Sequence, residues 1–171
     1  VAAKAYNYVI NSYPTSRLIP IAKIGYANTL SENVKSKFSA EQQSWKPFEE
    51  PKIIHEQDYL TVINAYNQLA KEFPNNAIYP QAIFSMAKIY KNNLLDFKTA
   101  DSLFSIVSKN HSSSNYGTLA NIERGKIAVI LGKLEEAKKF FGNAAGSAVR
   151  TKRCEPISIL DWRAAMPFSL N

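Results

Sequence analysis

One cysteine, Cys154, stands in the 171 residues, so no internal disulfide can form and no cysteine-rich metal site can be assembled. Glycine is scarce as well. None of the six glycines falls in a GxGxxG or GxxxxGK arrangement, which excludes the loops that cradle a nucleotide phosphate with backbone N–H groups. The two histidines, His55 and His111, occupy unrelated places and do not form a ligand pair for a metal. Acidic residues are in deficit, 14 against 21 basic ones, for a formal charge of +7. The basic residues are nevertheless spread along the chain, and the densest cluster is only the four residues Arg150 to Arg153. This is not the basic stripe that nucleic-acid binding requires. No apolar run approaches the ~20 residues of a membrane-spanning helix.

The acids also lack catalytic arrangement. Glu49 and Glu50, like Glu135 and Glu136, are adjacent in sequence and project in different directions, and Ser112 to Ser114 form a turn with an N-cap, not a nucleophile beside its base. We read the chain as a non-enzyme with no cofactor and no metal. What is abundant is apolar and aromatic residues, 46% and 12% of the chain, punctuated by eight prolines. That composition, with its Ala, Leu, Ile and Lys content, predicts helices joined by short turns.

The punctuation repeats. YPTSRLIPIAKIGYA can be laid over FPNNAIYPQAIFSMA, with Tyr13/Phe73, Pro14/Pro74, Pro20/Pro80, Ala22/Ala82 and Ala27/Ala87 all 60 apart. HSSSNYGTLANIERG is a third copy 38 further on, placing Ser112, Ala120 and Gly125 in the same slots. A small residue followed four later by a ring accompanies each copy: Ala2–Tyr6, Val62–Tyr66, Ala100–Phe104 and Ala137–Phe141. The period is therefore 37 to 38, and the first interval carries about 22 extra residues, the insertion SKFSAEQQSWKPFEEPKIIHEQ. Small residues let helices approach, and rings fill the volume between them. Proline after an aromatic stops one helix, and a second proline six residues later suits the first turn of the next.

This order of small, aromatic and proline positions resembles the tetratricopeptide repeat family, most closely in GKIAVILGKLEEAKKFF, residues 125–141, where Gly125, Gly132, Ala137 and Phe141 take the family's positions. The longer period and the Y/F-P phrase between units resemble the variant found in bacterial envelope proteins, including outer-membrane assembly lipoproteins and periplasmic partners of the Tol-Pal system. The resemblance implies an all-α fold, a right-handed superhelix (α–α solenoid) of antiparallel hairpins. Residues 1–148 would form the repeat domain, with an insertion about 37–55, and 149–171 a tail or capping segment. First helices are expected near 17–35, 77–92 and 115–131. Second helices are expected near 2–12, 56–72, 97–109 and 134–147.

Such arrays bind protein or peptide partners along the face lined by first helices. The family register points Asn28, Lys88 and Lys126 inward, with Ile24, Phe84 and Ile122 one turn earlier. Packing between helices is the alternative role for that apolar row. Trp45 and Phe48, between Pro47 and Pro51, are candidate anchors in the insertion. The lysine of carboxylate-clamp members is missing, Ile24 standing in its place. The expected function is a non-catalytic interaction scaffold in a bacterial cell-envelope complex, periplasmic or outer-membrane associated, with the cytoplasm as the alternative compartment. Any membrane association would run through partners or a lipid anchor. The alternative function is a structural subunit of a larger membrane-associated assembly.

Overall fold

A computed structural model of the chain describes residues 2–43 and 56–150, and there it is helical throughout, with no strand among the described residues. Seven helices follow one another: α1 (Ala2–Ser12), α2 (Ile19–Gln43), α3 (Glu56–Glu72), α4 (Tyr79–Asn92), α5 (Phe97–Asn110), α6 (Asn115–Ile130) and α7 (Leu134–Arg150). Each packs on the next in sequence, and α4 also reaches α6. Neighbour-to-neighbour packing of this kind follows from apolar stripes that no single helix can bury alone.

The turn between second and first helices has one construction in all three copies. Ser16 donates to the Tyr13 carbonyl and Ile19 to that of Ser16; Asn76 and Tyr79 repeat this from Phe73, and Ser114 and Gly117 from His111. Two successive three-residue turns therefore lead into each first helix. They delay α2 and α4 to Ile19 and Tyr79, two residues later than the expected starts at 17 and 77. Pro20 and Pro80 then fall in the first turn, where a missing N–H leaves no carbonyl unpaired. In the third copy Ser114 replaces this proline logic with a side-chain cap, its Oγ accepting from Gly117 N–H at 3.1 Å, and α6 starts earlier.

Turns within hairpins also correspond. Gly132 adopts φ +72° between α6 and α7, and Leu95, 37 residues before it, adopts φ 54° between α4 and α5. The left-handed conformation is thus a property of the turn, natural for glycine and sterically costly for leucine.

The rings sit at matching seams. Phe141 of α7 lies against Gly125 of α6, where an added Cβ would stand 2.6 Å from the ring. Phe104 of α5 packs edge-on to Phe84 of α4 at 5.3 Å between centroids. Tyr66 of α3 donates to the Asn28 side-chain oxygen of α2 at 2.7 Å. Tyr66 also reaches forward to Ser85 of α4, the counterpart of Gly25, against which Tyr6 of α1 is packed. Val62, Tyr66, Ala100, Phe104, Val107 and Ala87 are at most 2% exposed and belong to one continuous core.

The insertion partly prolongs a helix, since α2 runs on to Gln43, past the expected end at 35, and Lys37 bridges to Asp58 of α3 at 2.9 Å. Trp45 and Phe48, the remainder of the insertion and the tail beyond residue 150 lie outside the described residues.

Candidate functional site

The six expected groove residues separate into three kinds. Ile24 is 6% exposed and belongs to the core, so the expectation that it lines a partner face gives way to a packing role. The cause is helical geometry: Ile24 lies three residues before Ala27, shares its stripe, and points where Ala27 points. Asn28 is half-buried and spends its carbonyl oxygen on the Tyr66 hydroxyl. Burial pushes that hydroxyl up to about 12, against the pull of Ser85, with Glu32 adding to the rise. Asn28 is therefore a structural hydrogen-bond acceptor.

The other four lie on α4 and α6, two helices that are in contact. Phe84 is half-buried between Phe104 and Tyr116 of α6, with the Phe84–Tyr116 centroids 5.6 Å apart. Ile122 is half-buried, while Lys88 and Lys126 are exposed. Lys126 Nζ donates to Glu123 at 2.9 Å.

Beneath this row lies a charge network that spacing alone did not reveal. Lys91 of α4 bonds Glu123 of α6 across the seam, with side chains only 12% and 13% exposed. Arg124 forks onto Asp101 of α5, Nε to Oδ1 at 2.7 Å and Nη2 to Oδ2 at 3.2 Å, and its guanidinium lies 4.1 Å over the Phe140 ring of α7. Residues 123 and 124 thereby tie α6 to α4, α5 and α7 at once, with the planar fork that only arginine supplies. No single-helix periodicity contains these pairs, because their partners lie 23 and 32 residues away.

Burial alone would push the Glu123 carboxyl up, but the hydrogen bonds and charges of Lys91 and Lys126 outweigh it and hold the group below its ordinary 4.5. A lowered folded value stabilises the native state above the unfolded titration range, and the gain disappears as pH falls through the folded value. Glu123→Gln is expected to cost about 1.5–3 kcal/mol at pH 7, the range for hydrogen bonds to charged groups. The gap between wild type and variant should close as pH drops below 4.5. Thermal melts across that range measure it, and a gap independent of pH would contradict the assignment.

Chemically, the face offers ammonium groups beside rings and an aliphatic side chain. Among the described residues, no group of three or more His, Cys, Asp or Glu side chains could hold a metal ion, and no helix is long and apolar enough to cross a membrane. A scan against protein-family models and a search of curated proteins both gave no match.

Proposed function

We propose that the chain is a short tetratricopeptide-like array, coiled as a right-handed superhelix, that binds a partner protein without catalysing a reaction, as a scaffold in a bacterial cell-envelope complex. The observation that carries this reading is the α4–α6 face: exposed Lys88 and Lys126 stand in equivalent positions of successive first helices, beside half-buried Phe84, Tyr116 and Ile122. Lys88 has no ion-pair partner among the described residues, so a ligand carboxylate would meet it without displacing an internal one. A segment alternating acidic and apolar side chains fits such a row, and coupling of charge to apolar contact gives both steering and residence. The envelope assignment rests on the long period and the Y/F-P phrase between units.

The test is reversal of Lys88 alone, Lys88→Glu, with Lys126 left in place to hold Glu123, followed by affinity capture from the native source. Asn28 stays unchanged, because removing it would strand the Tyr66 hydroxyl. Capture of an acidic partner should fall at least tenfold while the melting temperature moves little. Undiminished capture with the fold intact would reject the face.

A specific patch favours the second reading, a permanent structural subunit. Val129, Ile130, Leu131 and Leu134, at the α6–α7 turn, are 48%, 57%, 51% and 60% exposed. Apolar clusters of this kind are covered in obligate assemblies. A stoichiometric partner that survives high salt and is lost on Ile130→Asp would support the subunit; salt-sensitive exchange supports the scaffold.

A further inference from the structure

The three turns that lead from second helices to first helices lie along one edge of the array. Helices α2 and α3 run antiparallel, since Lys23, Asn28 and Lys37 of α2 bond Glu72, Tyr66 and Asp58 of α3 in descending order. Asn93, just past α4, bonds Tyr59 near the start of α3, so α3 and α4 are antiparallel as well. Neighbouring turns also meet directly. Lys23 Nζ lies 5.8 Å from the centre of the Phe73 ring in the second turn, and the Tyr79 ring stands 5.4 Å from His111 in the third.

Charge on this edge is of one sign. Residues 8–21, 68–81 and 106–119 span the three turns and the helix ends beside them, and they hold Arg17, Lys71 and Lys109 against a single acid, Glu72. Glu72 is bonded to Lys23, whereas the three exposed cations have no ion-pair partner among the described residues. The opposite edge differs. Glu56, Asp58, Asp96, Glu135 and Glu136 stand at the starts of α3, α5 and α7, where carboxylates suit the positive end of the helix dipole. Helices α2, α4 and α6, which start on the cationic edge, have no acid in their first turn.

Apolar side chains accompany the cations. Tyr8, Tyr13, Leu18 and Ile21 are 57% to 64% exposed, and the rings of Tyr8 and Tyr13 stand edge to face at 6.5 Å. Counted by the register, Tyr8 corresponds to Gln68 and Ile106, both exposed although α2 packs on the helix that carries the one and α4 on the helix that carries the other. The position thus faces solvent in all three copies, whatever adjoins α1. Leu119, the counterpart of Ile21, is exposed too.

We infer that this edge rests on the surface of an anionic lipid bilayer, with Tyr13 and Leu18 at headgroup depth and Arg17, Lys71 and Lys109 drawn to the lipid phosphates. Tyrosine is amphipathic and settles at a membrane–water interface, and each Lys or Arg near an anionic leaflet adds about fivefold in affinity. Leu18 and Ile21 separate this occupant from nucleic acid, whose phosphates gain nothing from aliphatic contact. The edge uses no residue of the α4–α6 face, so either can hold without the other.

The test is co-sedimentation of the 171-residue chain with vesicles of phosphatidylglycerol and phosphatidylethanolamine, set against vesicles of phosphatidylcholine. Binding to the anionic vesicles alone is expected, weakening as salt rises. Arg17→Gln with Lys109→Gln should lower the affinity at least tenfold. Lys98→Gln with Lys139→Gln removes equal charge from exposed positions away from this edge and should lower it less than threefold. Tyr13→Ser with Leu18→Ser should also cost at least tenfold, with the melting temperature little changed. Each of six results would overturn the proposal: no binding to the anionic vesicles; equal binding to the neutral ones; equal loss from the two charge pairs, which would report net charge alone; affinity indifferent to Tyr13→Ser with Leu18→Ser; a markedly lower melting temperature in that variant, which would show the chain itself to cover the edge; or tighter retention on a single-stranded oligonucleotide than on the vesicles, which would make nucleic acid the occupant.

Discussion

Phe104→Ala is expected to lower folding stability by about 3–5 kcal/mol, the range for removing a buried ring and leaving its cavity. The ring is 0% exposed, packs edge-on to Phe84 and lies in the continuous core between α4 and its neighbours. For a chain of this length the loss corresponds to a fall in melting temperature of roughly 6–20 °C. The consequence should reach beyond the average. In an array whose helices contact chiefly their neighbours, stability is a sum of unit and interface terms. Loss of the central ring therefore uncouples α1–α4 from α5–α7, and chemical denaturation should broaden or split. Tyr6→Ala removes the ring at the equivalent register, but Tyr6 is half-exposed, so about 1 kcal/mol and an unaltered transition are expected. Equal losses at the two positions would contradict the difference in burial between the two rings.

The contrast between those rings marks what the sequence could and could not disclose. The helices were legible because a proline or serine phrase, a small residue and a ring recur at fixed distances, and each has a local steric reason to be where it is. All seven helices start within two residues of expectation, and α6 keeps its start at Asn115 because Ser114 caps it. Helix α2 ran longer than read, as nothing in residues 36–43 forces a stop before Pro47. The site was less legible. Projecting a face by register named Lys88 and Lys126, which are exposed, yet it cannot tell that Ile24 shares a buried stripe or that Asn28 is committed to Tyr66. The Lys91–Glu123 and Arg124–Asp101 pairs required knowing that α4 and α6 are in contact and that α6 lies on α5. Periodicity encodes which side of a helix is apolar; it does not encode which charge on the polar side finds a partner on another helix.

Gly117→Ala is expected to destabilise by about 2–4 kcal/mol, although glycine to alanine within a helix ordinarily stabilises by about 0.5–1 kcal/mol. The reversal has a steric cause. A Cβ at residue 117 would stand 2.2 Å from the His111 carbonyl oxygen, 2.9 Å from its carbon and 2.8 Å from Ser112 Cα, all backbone atoms that no rotamer change can move aside. Relief requires the turn to shift, which costs overpacking strain and loosens the Ser114 cap that accepts from Gly117 N–H. In the other copies the same slot holds Ile19 and Tyr79, at the first residue of α2 and α4, where the chain enters by two three-residue turns without the earlier start. Glycine is thus the requirement of a cap that begins α6 early. Three companion substitutions grade the argument. Gly125→Ala meets first the Phe141 ring, at 2.6 Å, and that ring is half-exposed and able to turn, so a loss smaller than at Gly117 is expected. Gly142→Ala and Gly146→Ala, in α7 with nothing within 4 Å, should each stabilise by about 0.5–1 kcal/mol. Urea denaturation of the four variants would order them Gly117, Gly125, then the pair in α7. A stabilising Gly117→Ala would mean that the His111–Ser114 turn does not close on α6, and with it the common construction of the three turns would fail.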